Sequence, residues 1–428
     1  ETDLDLGYYE RFAEIDVTKN NSTSTGKLFY DLIKKERKGE FLGKTITLIP
    51  HFTNAIKNFC TNHSDKYDII ICEVGGSVGD YEAGSFMEAI RQLKNEKKDD
   101  VLICFVTFIV YYKATKELKS KPTQVAIREL MSLGLQPDIL FARSEYPFPD
   151  GFKDKLALYS NIDKKNIIEA LNVDSIYEVP LNYKKEGLIN SLKSLLNLKA
   201  KKKPTLSKWI ILNNTIKNLK YNVTIGIIGK YVELEDSYYS VIESLNHAGW
   251  MNNTKVELLW INARKPESNM EELKKVDGIL VPGGFGNSGI EEIIKSIAFA
   301  RINNIPYLGI CLGMQLAVIE YCRNVLGIKN ASSSEFDNKN HTYVVDLMKE
   351  WKKNNGNKEK RSKKSNLGGT QRLGTYDAEI KKDTLAYKLY GSDRIKERHR
   401  HRYEVDIKYK DEVEKNGMIM SGLSPDGK

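Results

Sequence analysis

Apolar residues in the first half of the chain gather in short runs without polar alternation: KTITLIP (44–50), YDIIICEVGG (67–76), DVLICFVTFIV (100–110), PDILFARS (137–144) and SIYEVP (175–180). Runs that are apolar on both faces and too short for helices suit strands of a parallel sheet covered by helices. Between them, GKLFYDLIKKERKGE (26–40), AGSFMEAIRQLKNE (83–96) and PTQVAIRELMSLG (122–134) carry apolar residues at helical spacing. The last of these opens with Pro122, which suits a first helical turn. The alternation predicts βαβ units with right-handed crossovers.

The rhythm breaks between Leu198 and Tyr221, where a lysine cluster, a proline and several asparagines intervene. Such a stretch marks a boundary between domains. It then restarts with strand patterns at VTIGIIGKY (223–231), KVELLW (255–260), GILVPGGFG (278–286) and IPYLGICLG (305–313), and helical ones at 237–249 and 290–303. The pattern predicts an α/β chain of two doubly wound domains with mainly parallel sheets, 1–198 and 222–428, joined by a linker at 199–221.

Composition narrows the class. At 428 residues, 41% hydrophobic and 29% charged, the chain reads as a globular protein of two domains. Its longest apolar run, Val101 to Tyr112, falls short of the roughly 20 residues needed to span a bilayer, so no membrane association is expected. The net charge of +9 comes from lysines scattered in Asn/Lys-rich loops such as 352–366. Without interleaved aromatics or a reader motif these are solvated loops, and no nucleic-acid partner is expected. Five cysteines without metal-ligand spacing point to free thiols in a reducing, cytoplasmic setting.

One of those cysteines has chemistry written around it. In Gly309-Ile310-Cys311-Leu312-Gly313, a thiol sits between glycines where a strand pattern becomes a helical one. Small flanking residues permit the sharp strand-to-helix turn of a nucleophile elbow. Backbone N–H groups and the positive end of the helix dipole would favour thiolate at Cys311. Upstream, VPGGFG (281–286) ends another strand with glycines whose N–H groups, together with that of Leu312, could stabilise an oxyanion. An arbitrary cysteine is more often an inert buried thiol; the paired Gly-rich turn argues otherwise.

PGGFG and GICLGMQ resemble the class I, triad-type glutamine amidotransferases, in which a cysteine attacks the carboxamide of glutamine and releases ammonia. ETDLDLGYYERF (1–12), EVGGSVGDYE (73–82), KSKPTQ (119–124), LGGTQRLG (367–374) and ERHRHRYEV (397–405) narrow this, along essentially the whole chain, to a resemblance to CTP synthases. That family joins a P-loop-like amidoligase domain to a flavodoxin-like glutaminase domain. It makes CTP from UTP, ATP and glutamine, with GTP as allosteric activator and CTP as inhibitor.

Carried over residue by residue, the resemblance implies Mg²⁺ at Asp5 and Glu73, and ATP at Asp5, Leu171, Asn172 and Val173. It implies UTP or CTP at Asp80, Tyr81, Glu82, Lys119, Ser120, Lys121, Pro122, Thr123, Gln124 and Lys155. Two lysines flanking a serine before a helix start suit a triphosphate; Lys155 by itself would read as part of a solvated helix face. Cys311 is the implied nucleophile, and Gly284, Leu312, Gly313, Met314, Gln315, Glu335 and Arg402 the implied glutamine pocket. Thr370 and Arg372 fall in the segment implied for GTP. The family also implies a homotetramer, with filaments as a further assembly.

Two parts of the family pattern are not in this sequence, the Gly-rich P-loop and the His-Pro-Glu that completes the Cys-His-Glu triad. The expectation is a fragment truncated at both ends and incomplete as an enzyme by itself. His399 and His401 are tempting substitutes for the base, but they lie in a block the family uses for binding. Two other readings stand beside this one. A non-catalytic pyrimidine-nucleotide-binding or filament scaffold would keep the first-half motifs without turnover. An amidotransferase for another acceptor would explain the second half alone.

Overall fold

A computed structural model describes residues 5–18, 20–199, 205–230, 235–265, 269–336, 341–348, 350–352, 358–360, 371–425 and 427. The chain divides into two compact units, Glu1–Lys217 and Asn218–Lys428.

In the first unit a four-stranded sheet runs β2-β1-β3-β4, with β1 Cys104–Tyr112, β2 Glu117–Lys119, β3 Ile139–Ser144 and β4 Ile167–Leu171. Strands β1, β3 and β4 are parallel, and β2 adds an antiparallel edge. Ile109, Ile127, Leu140, Leu156 and Ile167 close the core between this sheet and its helices. A second cluster, Leu28, Leu32, Phe52, Ile56 and Ala89, holds the helices Thr25–Arg37, Thr53–Thr61 and Gly84–Lys97 together. The three predicted helices are present, the last over Lys121–Ser132 with Pro122 in its first turn.

Three predicted strands are not. The stretch 44–50 leads into a helical turn at Leu48–Phe52, and 67–76 is irregular, with Ile71 92% exposed. An apolar run encodes burial, but a strand also needs a neighbour for its N–H and C=O groups. Neither stretch pairs with the four-stranded sheet. At 175–180, Ser175 accepts a hydrogen bond from the Tyr177 N–H, and Pro180 opens the helix Val179–Lys185, so a cap and a proline override the apolar run. The strand at this position in the chain order is β4, which the pattern reading missed. Within 199–221, expected as linker, a helix spans Ser207–Lys217, and its Trp209 stacks on Phe12.

The second unit has a fully parallel sheet, β6-β5-β7-β8, from β5 Tyr221–Gly229, β6 Thr254–Asn262, β7 Gly278–Val281 and β8 Tyr307–Gly309. This is flavodoxin-like order, with its reversal between β5 and β7; open α/β sheets bind ligands at the carboxyl ends of the strands flanking such a reversal. Ile228, Ile261, Val281, Leu312, Leu316 and Ile319 belong to one continuous core. Beyond this sheet, Arg372–Ile380 and Arg394–His401 pair as an antiparallel hairpin, and Ala331–Ser333, Thr342–Leu347 and Tyr403–Val405 form a small sheet. Both units are therefore α/β with mainly parallel central sheets. No helix among the described residues is long and apolar enough to cross a membrane.

Candidate active site

The ends of β5, β7 and β8 converge on Cys311. Directly after β8 the chain turns at Ile310, whose N–H bonds the Val281 carbonyl at 2.9 Å, and enters the helix Leu312–Asn324. Cys311 carries the turn at φ 52°, ψ −103°, a backbone that non-glycine residues adopt only when their surroundings hold them in it. The flanking glycines are there for contact. A Cβ on Gly309 would stand 2.4 Å from the Gly313 carbonyl carbon, and one on Gly313 would stand 2.1 Å from the Val281 oxygen.

The Gly-rich loop after β7 lies against this elbow. A Cβ at Gly283 would meet the Cys311 Cβ at 3.5 Å, and one at Gly284 the Leu312 side chain at 3.3 Å. The same loop is tied on its far side: Glu335 Oε1 accepts the Gly286 N–H at 2.9 Å, and the Arg402 guanidinium stands 5.7 Å from the centroid of the Phe285 ring. Gln315, buried one turn into the helix, donates to the Tyr403 carbonyl at 2.9 Å. Tyr307 donates to the Gly313 carbonyl at 2.8 Å. Cys311, Leu312, Gly313, Gln315, Gly284, Glu335 and Arg402 are thus gathered around one loop and one helix start. Met314, in the first turn of that helix, is exposed.

The electrostatics correct one expectation. Cys311 is not thiolate-prone here: burial pushes its thiol up from the ordinary value, and the Leu312 N–H and the Arg400 guanidinium offset this only in part, while the Glu335 charge adds to the rise. The thiol donates to the main-chain carbonyl of Arg400 at 3.7 Å, an acceptor that cannot take its proton. The helix start acts as predicted, but desolvation outweighs it. His399 and His401 share a hydrogen bond at 2.9 Å, and His401 Nδ1 meets the Tyr403 carbonyl at 3.1 Å. Glu335 is likewise pushed up by burial, against the Gly286 N–H, Lys230 and Arg402.

Lys230 was missed by the sequence reading. It follows β5 directly, is only 5% exposed, and its Nζ donates to the carbonyls of Phe285 at 3.2 Å and Gly286 at 2.5 Å. Its signal was present as a lone lysine closing the apolar strand VTIGIIGK.

In the first unit the implied nucleotide residues are more dispersed. Asp80 accepts the Ser77 N–H at 3.1 Å, closing a turn, and Tyr81 and Glu82 beside it are exposed. Gly79 in the same loop sits close to Glu129 of the helix Lys121–Ser132, so that loop and that helix adjoin. At the helix start, Ser120, Thr123 and Gln124 are buried: Gln124 donates to Ser120 Oγ at 2.9 Å, and Thr123 donates to the Phe108 carbonyl at 3.2 Å. Lys121 is exposed, Pro122 lies in the first turn, and Lys119 pairs with Glu117. Leu171 ends β4, Asn172 donates through its N–H to the Ser144 carbonyl at 2.8 Å, and Val173 is half-buried. Lys155 is exposed on the helix Phe152–Ser160. Thr370 lies outside the described residues; Arg372 stands against the Tyr376 ring, 4.3 Å from its centroid.

For Mg²⁺, the donor set is two carboxylates. Tyr9 donates to Glu73, and Asp5 stands one turn before Tyr9 on the same helix, Asp5–Ala13. Among the described residues no group of three or more His, Cys, Asp or Glu is gathered to hold a metal. Mg²⁺ commonly takes one or two carboxylates and completes its shell with water and substrate phosphates, and two carboxylates meet that requirement in number.

Comparison with known proteins matches residues 1–198 to the family model "CTP synthase N-terminus" and residues 233–428 to "Glutamine amidotransferase class-I". The protein named CTP synthase from Methanocaldococcus jannaschii is 49% identical over 437 residues, covering all of this chain and 79% of that one. The protein of the same name from Pelagibacter ubique is 49% identical over 431 residues, covering all of this chain and 80% of that one. A solved structure of the Trypanosoma brucei CTPS glutaminase domain with bound acivicin aligns at 36% identity and a TM-score of 0.41, over 47% of this chain and 75% of that chain.

Proposed function

The chain belongs to the CTP synthase family, and on that premise we propose that it serves the ATP-dependent amination of UTP to CTP with ammonia taken from glutamine. The observation that carries this is the elbow: Cys311 held in a strained turn at the carboxyl end of a parallel sheet, facing the glycine loop 283–286. There Cys311 Sγ attacks the glutamine carboxamide carbon, the C–N bond breaks, and ammonia leaves with the thiol proton. Water then cleaves the thioester to glutamate and restores the thiol. N–H groups of the glycine loop and of Leu312 stabilise the oxyanion formed on the way. Glu335 and Arg402 suit the ammonium and carboxylate ends of the free amino acid.

In the first unit, ATP gives its terminal phosphoryl group to the uracil 4-oxygen, and ammonia displaces that phosphate at the ring carbon. Asp5 and Glu73 would hold Mg²⁺, whose charge neutralises the triphosphate when it is bound. The nucleotide set is the one implied above: Leu171, Asn172 and Val173 beside Asp5 for ATP, and Asp80 to Glu82, Lys119 to Gln124 and Lys155 for the pyrimidine nucleotide. Because Ser120, Thr123 and Gln124 are buried, the triphosphate would meet the helix start through main-chain N–H groups and the two lysines. GTP activation near Arg372, CTP inhibition and a homotetramer complete the proposal. Five free thiols suit a reducing compartment, and we place the protein in the cytoplasm.

Cys311→Ser in the full-length protein tests the reading. Glutamine-dependent CTP formation is expected to fall at least about a thousandfold, with synthesis from added ammonium chloride within about twofold of wild type. Glutamine-dependent synthesis that survives the substitution would overturn it.

A further inference from the structure

A buried lysine beside the glycine loop has no part in the mechanism just described. Lys230 reaches from the end of β5 to the loop after β7, where its ammonium bonds the carbonyls of Phe285 and Gly286. The opposite edge of that segment, the Gly286 N–H, is held by Glu335. The Phe285–Gly286 peptide is therefore gripped from both sides, its carbonyl by a cation and its amide by a carboxylate, and the next carbonyl is held by the same cation. The grip falls directly after Gly283 and Gly284, which lie against Cys311 and Leu312, and the Lys230 stem itself passes Gly284, whose Cβ would stand 4.0 Å from Lys230 Cδ.

A glycine pair has wide conformational freedom, and oxyanion donors are effective only when their N–H groups are fixed before the charge forms. We propose that Lys230 is a positioning residue for glutamine hydrolysis, clamping Phe285–Gly286 so that the Gly283–Gly284 peptides are held in oxyanion-stabilising orientation beside Cys311. The charge is kept at a cost. Burial lowers Lys230 to about 8, the facing Glu335 carboxylate opposes that, and Arg264 adds to it. A lysine serving only as packing would not need its ammonium in this position.

This inference rests on the glutaminase reading, so its test separates the two. The variants are Lys230→Met and Lys230→Gln in the full-length enzyme, and the readings are glutamine-dependent kcat and KM, ammonia-dependent synthesis, and alkylation of Cys311 by iodoacetamide followed by peptide mass spectrometry. Alkylation is a displacement at a saturated carbon and forms no oxyanion; it therefore reports on the thiol and the elbow without the glycine loop.

For Lys230→Met, glutamine-dependent kcat is expected to fall about a hundredfold. KM should stay within about threefold, and Cys311 alkylation and ammonia-dependent synthesis within about twofold. Lys230→Gln, which keeps a donor, should recover part of the loss. A kcat within about threefold of wild type in both variants, or alkylation lost in parallel with hydrolysis, would overturn the clamp. If wild type makes no CTP from glutamine, or Cys311→Ala still does, the proposed function fails instead.

Discussion

The two candidate sites are built in opposite ways. Around Cys311 the elbow and its loop are set by packing: two glycines have no room for a Cβ, the loop 283–286 is gripped by Lys230 and Glu335, and Leu312 and Leu316 anchor the helix in the core. In the first unit, Asp80, Tyr81, Glu82, Lys121 and Lys155 are exposed, and the stretch leading to Glu73 is irregular. Covalent catalysis on a neutral amide needs donors fixed in advance, whereas a triphosphate and its metal bring charge enough to organise flexible cations and carboxylates around themselves. The contrast is between a candidate site around Cys311 set by packing and a set of implied nucleotide residues that is mostly exposed.

Substitutions paired across the two units can break or sharpen that contrast. The largest difference is expected at ion pairs. Glu320 is 1% exposed and takes the Arg301 guanidinium and the Asn324 amide. Glu320→Ala should cost about 4 kcal/mol, against about 0.5 kcal/mol for Glu96→Ala in the half-exposed Lys57–Glu96 pair; urea unfolding of the two variants measures both.

Next come the isoleucines. Ile228→Ala in the second core should cost about 3 kcal/mol, and Ile71→Ala, at an exposed side chain, less than about 0.5 kcal/mol. A cost at Ile71 as large as at Ile228 would mean that 67–76 is covered in the working protein.

The glycines follow. Gly313→Ala should cost about 2 kcal/mol and abolish glutamine hydrolysis. Gly75→Ala, which has open space around it, should leave melting temperature within about 2 °C.

The smallest contrast lies in thiol reactivity. A hydrogen bond from the free Cys60 thiol holds Cys72 down at about 7, whereas burial raises Cys311. Only thiolate is alkylated, so Cys72 labelling should level off by about pH 8 while that of Cys311 still climbs about tenfold per pH unit from 7 to 9. Equal pH profiles at the two cysteines would remove the electrostatic half of the comparison.

Most of the architecture was legible. Every predicted helix of the first unit appears, and the four strands of the second-unit sheet fall where their apolar runs lie. The failures at 44–50, 67–76 and 175–180 share one cause. An apolar run records how much side chain must be buried, while strand formation also depends on a neighbour to pair with, or is overruled by a cap and a proline, as at Ser175 and Pro180. At the site, the elbow and the glycine loop were legible as motifs, and Glu335 and Arg402, implied only by the family resemblance, stand against that loop. Lys230 was not, because a lysine after a strand is ordinarily solvated, and only the approach of the 285–286 carbonyls gives it a partner.

By itself, the sequence determined the α/β class, the two-part organisation, the elbow at Cys311 with its glycines, and the kinship with CTP synthases. These depend on local periodicity and on motifs short enough to read in one dimension. Only the tertiary structure decided that burial pushes the Cys311 thiol up and sets it against the Arg400 carbonyl, and that Lys230 and Glu335 hold the loop facing it. Desolvation and hydrogen-bond partnership arise between segments distant in the chain, Lys230 with Gly286 and Cys311 with Arg400, and no local pattern encodes either.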